Sequence, residues 1–255
     1  MRPSLLLLLC LSLSGCDNFV DYFSPAATQA ILIGVDELPD GIELGAAAEA
    51  SVFVARAQSL SSFSANLVGN AERVTLSSDI GSFDLNNLGN GGYEFSSLED
   101  AAFEYVPETS WTLTIVEGGK TRTTSVTAPG PPELGDPSEV LEHSAGVSID
   151  FDLSGQGFDN YVAAVGQVLA SGDFVLTYDS RPTSAQDYVD WLKPGSGDVD
   201  QVTVPGSAFP DPMASYVVGI AGIRKALPES FRRLNPAISN LAAGAMAGRV
   251  VVTGP

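Results

Sequence analysis

Alternation of apolar and polar residues predicts β-strands along much of the chain. The clearest case is the segment 110–116 (SWTLTIV), in which tryptophan, leucine and isoleucine alternate with threonine. Because successive side chains of a strand point to opposite faces, this pattern predicts one buried and one exposed face. The Glu-Gly-Gly-Lys sequence at 117–120 is a turn suited to a hairpin, with a return strand at 121–127.

Shorter runs predict further strands and one helix. Residues 147–153 alternate valine, isoleucine, phenylalanine and leucine with serine and aspartate. A short helix is predicted at 184–192, where Thr183 supplies an N-cap and a Pro-Gly pair follows the last turn. We expect Tyr188 and Trp191 to pack that helix against a sheet rather than to line a sugar-binding face. The remaining predicted strands are 30–35, 50–56, 63–68, 174–178, 201–204, 216–223 and 249–253.

A proline-rich segment divides the chain into two halves. Residues 129–138 (PGPPELGDPS) contain four prolines and two glycines and show no apolar period, which predicts a stiff linker. We expect residues 30–128 and 139–255 to form one domain each. Several short strands in each half favour β-sandwiches. The sequence therefore predicts an all-β protein of two antiparallel β-sandwich domains, the second with a short helix insertion.

The hairpin at 110–127, followed by Ala-Pro-Gly-Pro-Pro, is similar to the last hairpin of bacterial immunoglobulin-like and fibronectin type III modules. This resemblance implies that both sandwiches are immunoglobulin-like. The second half departs from the simple module through its predicted helix and a glycine- and alanine-rich stretch at 240–248.

The first residues carry the pattern of a bacterial lipoprotein signal. Arg2 precedes a leucine-dominated run that is shorter than the about 20 apolar residues that span a bilayer. Residues 13–16 (LSGC) resemble the lipobox, in which small residues precede an invariant cysteine. The resemblance implies that residues 1–15 are removed and that Cys16 carries a thioether-linked diacylglycerol. Cys10 follows a leucine, so we expect it to be discarded with the signal.

A lipid on Cys16 implies a tether at 16–29 and an extracytoplasmic protein attached to a bacterial membrane. Two or three acyl chains hold firmly, because each buried CH₂ contributes about 0.8 kcal/mol. Asp17 is similar to the residue that retains enterobacterial lipoproteins on the periplasmic face of the inner membrane. The outer membrane and the cell surface remain alternatives, as does an ordinary secretory signal with a chance cysteine.

Acidic residues dominate the charge of the chain, with 31 acidic and 12 basic residues and a net charge of −19. Loss of residues 1–15, which contain Arg2, makes the net charge −20. Such a surface repels phosphates and anionic headgroups, so we expect no nucleic-acid partner. A basic cluster is the local exception, and it either docks an acidic partner or pairs with neighbouring acids. Its members are Arg224, Lys225, Arg232 and Arg233.

Motifs for catalysis or metal binding are incomplete. His143 is the single histidine and no G-x-S-x-G elbow accompanies it, so we expect a structural role. Asp150, Asp152 and Ser154 stand at the first, third and fifth places of a calcium loop. Tyr161 occupies the twelfth place, where a glutamate belongs. The same residues also fit the outer face of a strand, which is the preferred interpretation.

These observations predict a membrane-anchored lipoprotein of binding or structural type in the bacterial envelope. We expect no enzymatic activity and no cofactor besides the covalent lipid. A carbohydrate-binding or adhesin module would present an exposed aromatic platform. An accessory subunit of an envelope complex would leave a sheet edge or an apolar patch uncovered. A hydrolase would need a deep cleft that holds perturbed acids.

Lipidation of Cys16 is the prediction that the N-terminal pattern generates. Mass spectrometry of the mature N-terminal peptide should find a diacylglycerol on Cys16. The Cys16→Ser variant should leave the membrane fraction because its acyl chains are lost, whereas Cys10→Ser should stay attached. An unmodified peptide, or a Cys16→Ser variant that remains firmly membrane-bound, would contradict the assignment.

Overall fold

The computed structural model describes residues 26–37, 39, 47–56, 71–89, 91–136, 138–181, 198–226 and 240–255. Over these residues the chain is all-β, which confirms the predicted class, and its one helical element is a 3₁₀ turn at Gly206–Ala208. No helix in these ranges is long and apolar enough to cross a membrane. The predicted helix at 184–192 and the predicted strand at 63–68 lie outside the described residues.

The described residues form fifteen strands. Eight lie in the first half: β1 (Ala26–Glu37), β2 (Ala48–Arg56), β3 (Arg73–Ser77), β4 (Ser82–Asp84), β5 (Asn86–Gly89), β6 (Gly92–Ser96), β7 (Ser110–Glu117) and β8 (Lys120–Thr127). Seven lie in the second half: β9 (Leu141–His143), β10 (Ile149–Asp152), β11 (Asn160–Val168), β12 (Phe174–Asp179), β13 (Gln201–Val204), β14 (Ser215–Ala226) and β15 (Asn240–Thr253).

Several predicted strands appear where the pattern placed them. The segment predicted at 110–116 is β7, and its alternate side chains are buried as the pattern requires. Gly118 and Gly119 join β7 to β8 with φ values of 57° and 72°, the left-handed conformation that a tight hairpin turn needs. The strand predicted at 249–253 is longer than expected, because β15 runs back through the glycine- and alanine-rich stretch to Asn240.

Three sheets organise the described strands. Nine strands form one sheet in the order β12-β11-β14-β15-β1-β2-β6-β5, with β9 also pairing with β15. A second sheet has the order β4-β3-β7-β8, and β10 pairs with β13 in the third. Strand β15 pairs antiparallel with β14 on one side and parallel with β1 on the other. The last strand of the chain therefore joins the sheet regions of both halves.

Two hydrophobic clusters are buried beneath the nine-stranded sheet. The first gathers side chains of β1, β2, β3 and β7 around Phe103 and Trp111, whose rings meet edge to face with centroids 5.6 Å apart. The second gathers side chains of β10, β11, β13 and β14 around Phe209 and Tyr216, at 5.3 Å. Strand β15 contributes Leu241 to the first cluster and Val251 to the second. The division into two domains stays a prediction.

Glycines are required where strands meet bulky rings. A Cβ atom on Gly222 of β14 would lie 2.4 Å from the ring of Phe158, which belongs to the second cluster. A Cβ on Gly34 of β1 would lie 2.0 Å from the ring of Tyr105. These approaches explain why small residues stand in strands, where their intrinsic β-propensity is low.

The proline-rich segment at 129–138 is held against the sheet by Arg249. This side chain is only 2% exposed, and it donates to the backbone carbonyls of Leu134 at 3.2 Å and Glu139 at 3.3 Å. Both hydrogen bonds are part-buried, and a hydrogen bond from a charged donor contributes about 1.5–3 kcal/mol. Arg249 therefore fixes the path of the chain between its two halves.

Removal of the Arg249 side chain should destabilise the fold strongly. We expect Arg249→Ala to lower the free energy of unfolding by about 3 kcal/mol, since two part-buried carbonyls lose a charged donor and a buried side chain is removed. The matched control is Arg181→Ala, because the Arg181 side chain is 67% exposed and pairs locally with Asp179; its effect should stay within about 1 kcal/mol. Chemical denaturation measures both, and equal losses would disprove the role of Arg249.

Candidate functional site

Strand β12 is the last strand on one side of the nine-stranded sheet that the described residues form. Among the described strands only β11 pairs with it. Phe174, Val175 and Leu176 begin the strand and are 50%, 47% and 60% exposed. Edge strands present unpaired backbone N–H and C=O groups, and proteins usually protect them with charges, proline or a covering element. Here apolar side chains stand at the edge instead.

The hairpin turn between β11 and β12 fixes which backbone groups face the open edge. The N–H of Leu169 donates to the carbonyl of Asp173 at 2.9 Å, so these two residues form a hydrogen-bonded pair. Bonded and non-bonded pairs alternate along antiparallel strands. Val175 therefore belongs to the next bonded pair and turns its N–H and C=O toward β11. Phe174 and Leu176 turn theirs away from β11, toward the open edge.

Two further exposed apolar side chains lie at the same end of the sheet. Leu169 follows the last residue of β11 at the hairpin turn. Met213 is 80% exposed and has a φ of 54°, and it lies two residues before β14, whose first residue pairs with Val168. A left-handed φ is uncommon for a side chain of this size and indicates local strain. We call these residues the apolar corner: Leu169, Phe174, Val175, Leu176 and Met213.

The apolar corner continues into the back face of the sheet, which we define as the face opposite the second hydrophobic cluster. Alternation places Leu176, Val217 and Val250 on this face, in register across β12, β11, β14 and β15. In the described parts of β12, β11, β14 and β15, the charged side chains of the back face are Asp179 and Lys225, and the other side chains on this face are uncharged. Val217 and Val250 are partly exposed on this face, whereas Ala221 and Ile223 of β14 on the same face are buried.

Negative charge is distributed unequally between the two ends of β12. Asp173 is exposed at the turn end, and Asp211 lies nearby, where its carboxylate accepts a hydrogen bond from Gln167 at 3.0 Å. At the other end, Arg181 donates to the carboxylate of Asp179 at 2.6–3.0 Å and lowers the pKa of that carboxyl. The Asp179 charge is therefore balanced by Arg181, and the excess negative charge lies at the turn end.

Cys16, the predicted lipidation site, lies outside the described ranges. Arg232 and Arg233 of the basic cluster and the aromatic pair Tyr188 and Trp191 also fall there.

The other two residues of the basic cluster lie on β14 beside acidic groups. Arg224 forms an ion pair with Glu108 at 3.1 Å and also donates to the carbonyl of Gly157. Burial lowers the pKa of Lys225, and the nearby Asp159 carboxylate opposes that shift. Both cations therefore have acidic neighbours, and the role of the whole basic cluster stays a prediction.

The predicted calcium residues lie on and just after β10. Thr203 donates to Asp150 at 2.7 Å. The backbone N–H of Ser154 donates to Asp152 at 2.9 Å, and the hydroxyl of Ser154 also bonds to that carboxylate and lowers its pKa. Asp150 and Asp152 therefore lie on a strand, and each carboxylate accepts a hydrogen bond from a side-chain hydroxyl. Where the chain is described, no three His, Cys, Asp or Glu side chains group together. Calcium binding stays an untested alternative.

His143 packs within the second half. Its Nε2 lies 2.7 Å from the carbonyl oxygen of Val147, and its ring meets Phe209 edge to face with centroids 5.4 Å apart. These are contacts of a side chain that helps to hold β9 in place, and they fit the structural role expected from sequence.

A polar groove lies on the outer face of the four-stranded sheet. One cavity of about 520 Å³ adjoins another of about 330 Å³, and Ser77 lines both. The linings are mainly hydroxyl-bearing, with carboxylates at Asp79, Asp84 and Glu108. As far as the described residues show, no aromatic side chain lines either cavity. The groove therefore differs from the aromatic platform expected of a carbohydrate-binding module.

Sequence reasoning identified β12 as a strand but missed its exposure. A continuous apolar run such as FVL is typical of a strand buried on both faces. The Ser-Gly-Asp sequence at 171–173 marked a turn before it. A turn signal indicates a hairpin, but it does not reveal which strand of that hairpin ends the sheet.

Comparison with models of known protein families and with curated proteins finds no match to this chain.

Proposed function

We propose that this chain is a lipid-anchored binding protein of the bacterial envelope, which holds a protein partner at the apolar corner. The observation that carries the proposal is the exposure of Phe174, Val175 and Leu176 on an unpaired sheet edge. Contiguous apolar surface of this kind marks interaction sites in soluble proteins. Of the functions considered from sequence, an accessory subunit of an envelope complex is the one expected to leave a sheet edge or an apolar patch uncovered.

The lipid anchor gives this binding site its setting. A diacylglycerol on Cys16 confines the chain to a membrane surface, where tethering raises the effective concentration of any partner in the same membrane. Asp17 favours the periplasmic face of the inner membrane, with the outer membrane and cell surface as alternatives. The acidic body is repelled by anionic headgroups and projects away from them.

The fold proposed for this role has two immunoglobulin-like sandwiches, the second with a short helix insertion at 184–192. Its support is the presence of two buried clusters, each between the nine-stranded sheet and a smaller sheet. Such sandwiches present sheet edges and loops from a rigid scaffold, which suits a binding protein.

Binding is favoured over hydrolysis by the state of the carboxyl groups. A general acid needs a carboxyl pKa that burial raises toward neutrality. Three aspartates have pKa values lowered by hydrogen bonds instead: Asp136 and Asp152, which are exposed, and Asp179, which is partly exposed and bonds to Arg181. Ionised, solvated carboxylates of this kind contribute to the negative surface of a binding protein.

A charge placed in the apolar corner should abolish partner capture. We expect Leu176→Glu in the intact lipoprotein to reduce the partner recovered from cross-linked native envelopes by at least about tenfold, since binding would bury an unpaired carboxylate. Leu176 is 60% exposed, so the variant should fold normally.

Leu98→Glu provides the matched control. Leu98 is 73% exposed and lies in the other half of the chain, in the turn after β6. This variant should recover the partner at the wild-type level. Recovery that is the same for Leu176→Glu, Leu98→Glu and wild type would refute a binding role for the apolar corner.

A further inference from the structure

We infer that the partner binds by adding an extended segment of its own chain to β12 as a further strand, with a basic residue beside Asp173. This inference rests on the proposed function and names the chemistry of the partner at the same site. Three features of the structure support it: the direction of the free backbone groups, the apolar surface behind them and the placement of charge.

The backbone of β12 is arranged to accept a strand. Phe174 and Leu176 both direct their N–H and C=O groups away from β11, and they are separated by one residue. This two-residue repeat is the spacing at which an added strand donates and accepts hydrogen bonds. Main-chain bonds of this kind supply much of the affinity when a peptide extends a sheet.

The side chains around β12 specify an alternating apolar pattern in the added segment. The ring of Phe174 lies over Gly166, with its Cδ1 atom 3.5 Å from the place where a Cβ would stand. Leu176 follows on the same face of β12. Apolar residues at alternate positions of an added strand would extend this face, and polar residues between them would meet solvent on the other side.

Charge selects the flank of the segment. Asp173 and Asp211 place negative charge at the turn end of β12, whereas Arg181 balances Asp179 at the far end. A lysine or arginine beside Asp173 is therefore favoured. A second copy of this chain fits less well, because each copy has a net charge of −19 before processing. The partner is thus a different protein with an apolar, basic-flanked segment.

Peptide titration tests this inference on the intact lipoprotein in detergent. The probe is a labelled peptide of alternating valine and threonine with lysine at both ends, and its counterpart has glutamate at both ends. Fluorescence anisotropy should show at least about tenfold tighter binding of the lysine peptide, with an advantage that falls as salt rises. Equal binding of the two peptides, or binding of neither, would overturn the inference.

Proline substitutions separate strand addition from simple apolar contact. Leu176→Pro removes an N–H that faces the open edge and leaves the β11 ladder intact, so affinity for the lysine peptide should fall about tenfold. Phe174→Pro removes the other outward N–H and should lower the affinity for the lysine peptide by a similar factor. Two proline variants are used so that the test still holds if one of them misfolds. Leu176→Ala keeps this N–H, so its affinity for the lysine peptide should fall less than that of Leu176→Pro.

The same variants distinguish failure of this inference from failure of the proposed function. If Leu176→Glu loses the native partner but Leu176→Pro and Phe174→Pro retain it, the corner binds a protein by side-chain contact and strand addition is wrong. If all three variants retain the partner, both proposals fail. Sedimentation that shows self-association through β12 would replace the basic-flanked partner with a second copy of the chain.

Discussion

The pairing of β15 with strands on both of its sides is the constraint on which the rest of the structure depends. Its antiparallel ladder with β14 runs from Ser215 opposite Val252 to Ala226 opposite Leu241. Its parallel ladder with β1 brings the end of the chain against the first described strand. Because β15 occupies the middle of the sheet, the hairpin of β11 and β12 is displaced outward, and β12 becomes the edge.

The two edges of the nine-stranded sheet differ in a way that points to function. At the far edge, β5 has the sequence NNLG, and its register with β6 is irregular between Asn87 and Gly89. A short, polar, irregular strand is a poor template for pairing with another chain. At the near edge, β12 is longer and begins with Phe-Val-Leu, and its own register shift against β11 comes only after Leu176. One edge of the sheet is thus protected, while the other is suited to a partner.

Sequence patterns predicted the local elements well and their assembly poorly. Alternation identified β7, and paired glycines identified its turn, because both signals lie within a few residues. The first part of β15 was missed because alanine and glycine have low strand propensity, although close packing against rings such as Phe158 requires small residues nearby. Pairing of β1 with β15 joins opposite ends of the chain, and no local signal encodes it. The site was missed for the same reason, since the exposure of β12 follows from sheet order.

Amide hydrogen exchange at β12 in the free protein tests the central claim most directly, because it reports whether the outer backbone of the strand is open. The account predicts slow exchange for the N–H of Val175, which bonds to β11, and fast exchange for the N–H groups of Phe174 and Leu176 on either side. Equal protection of all three amides would show that the edge is already covered, and would contradict the account.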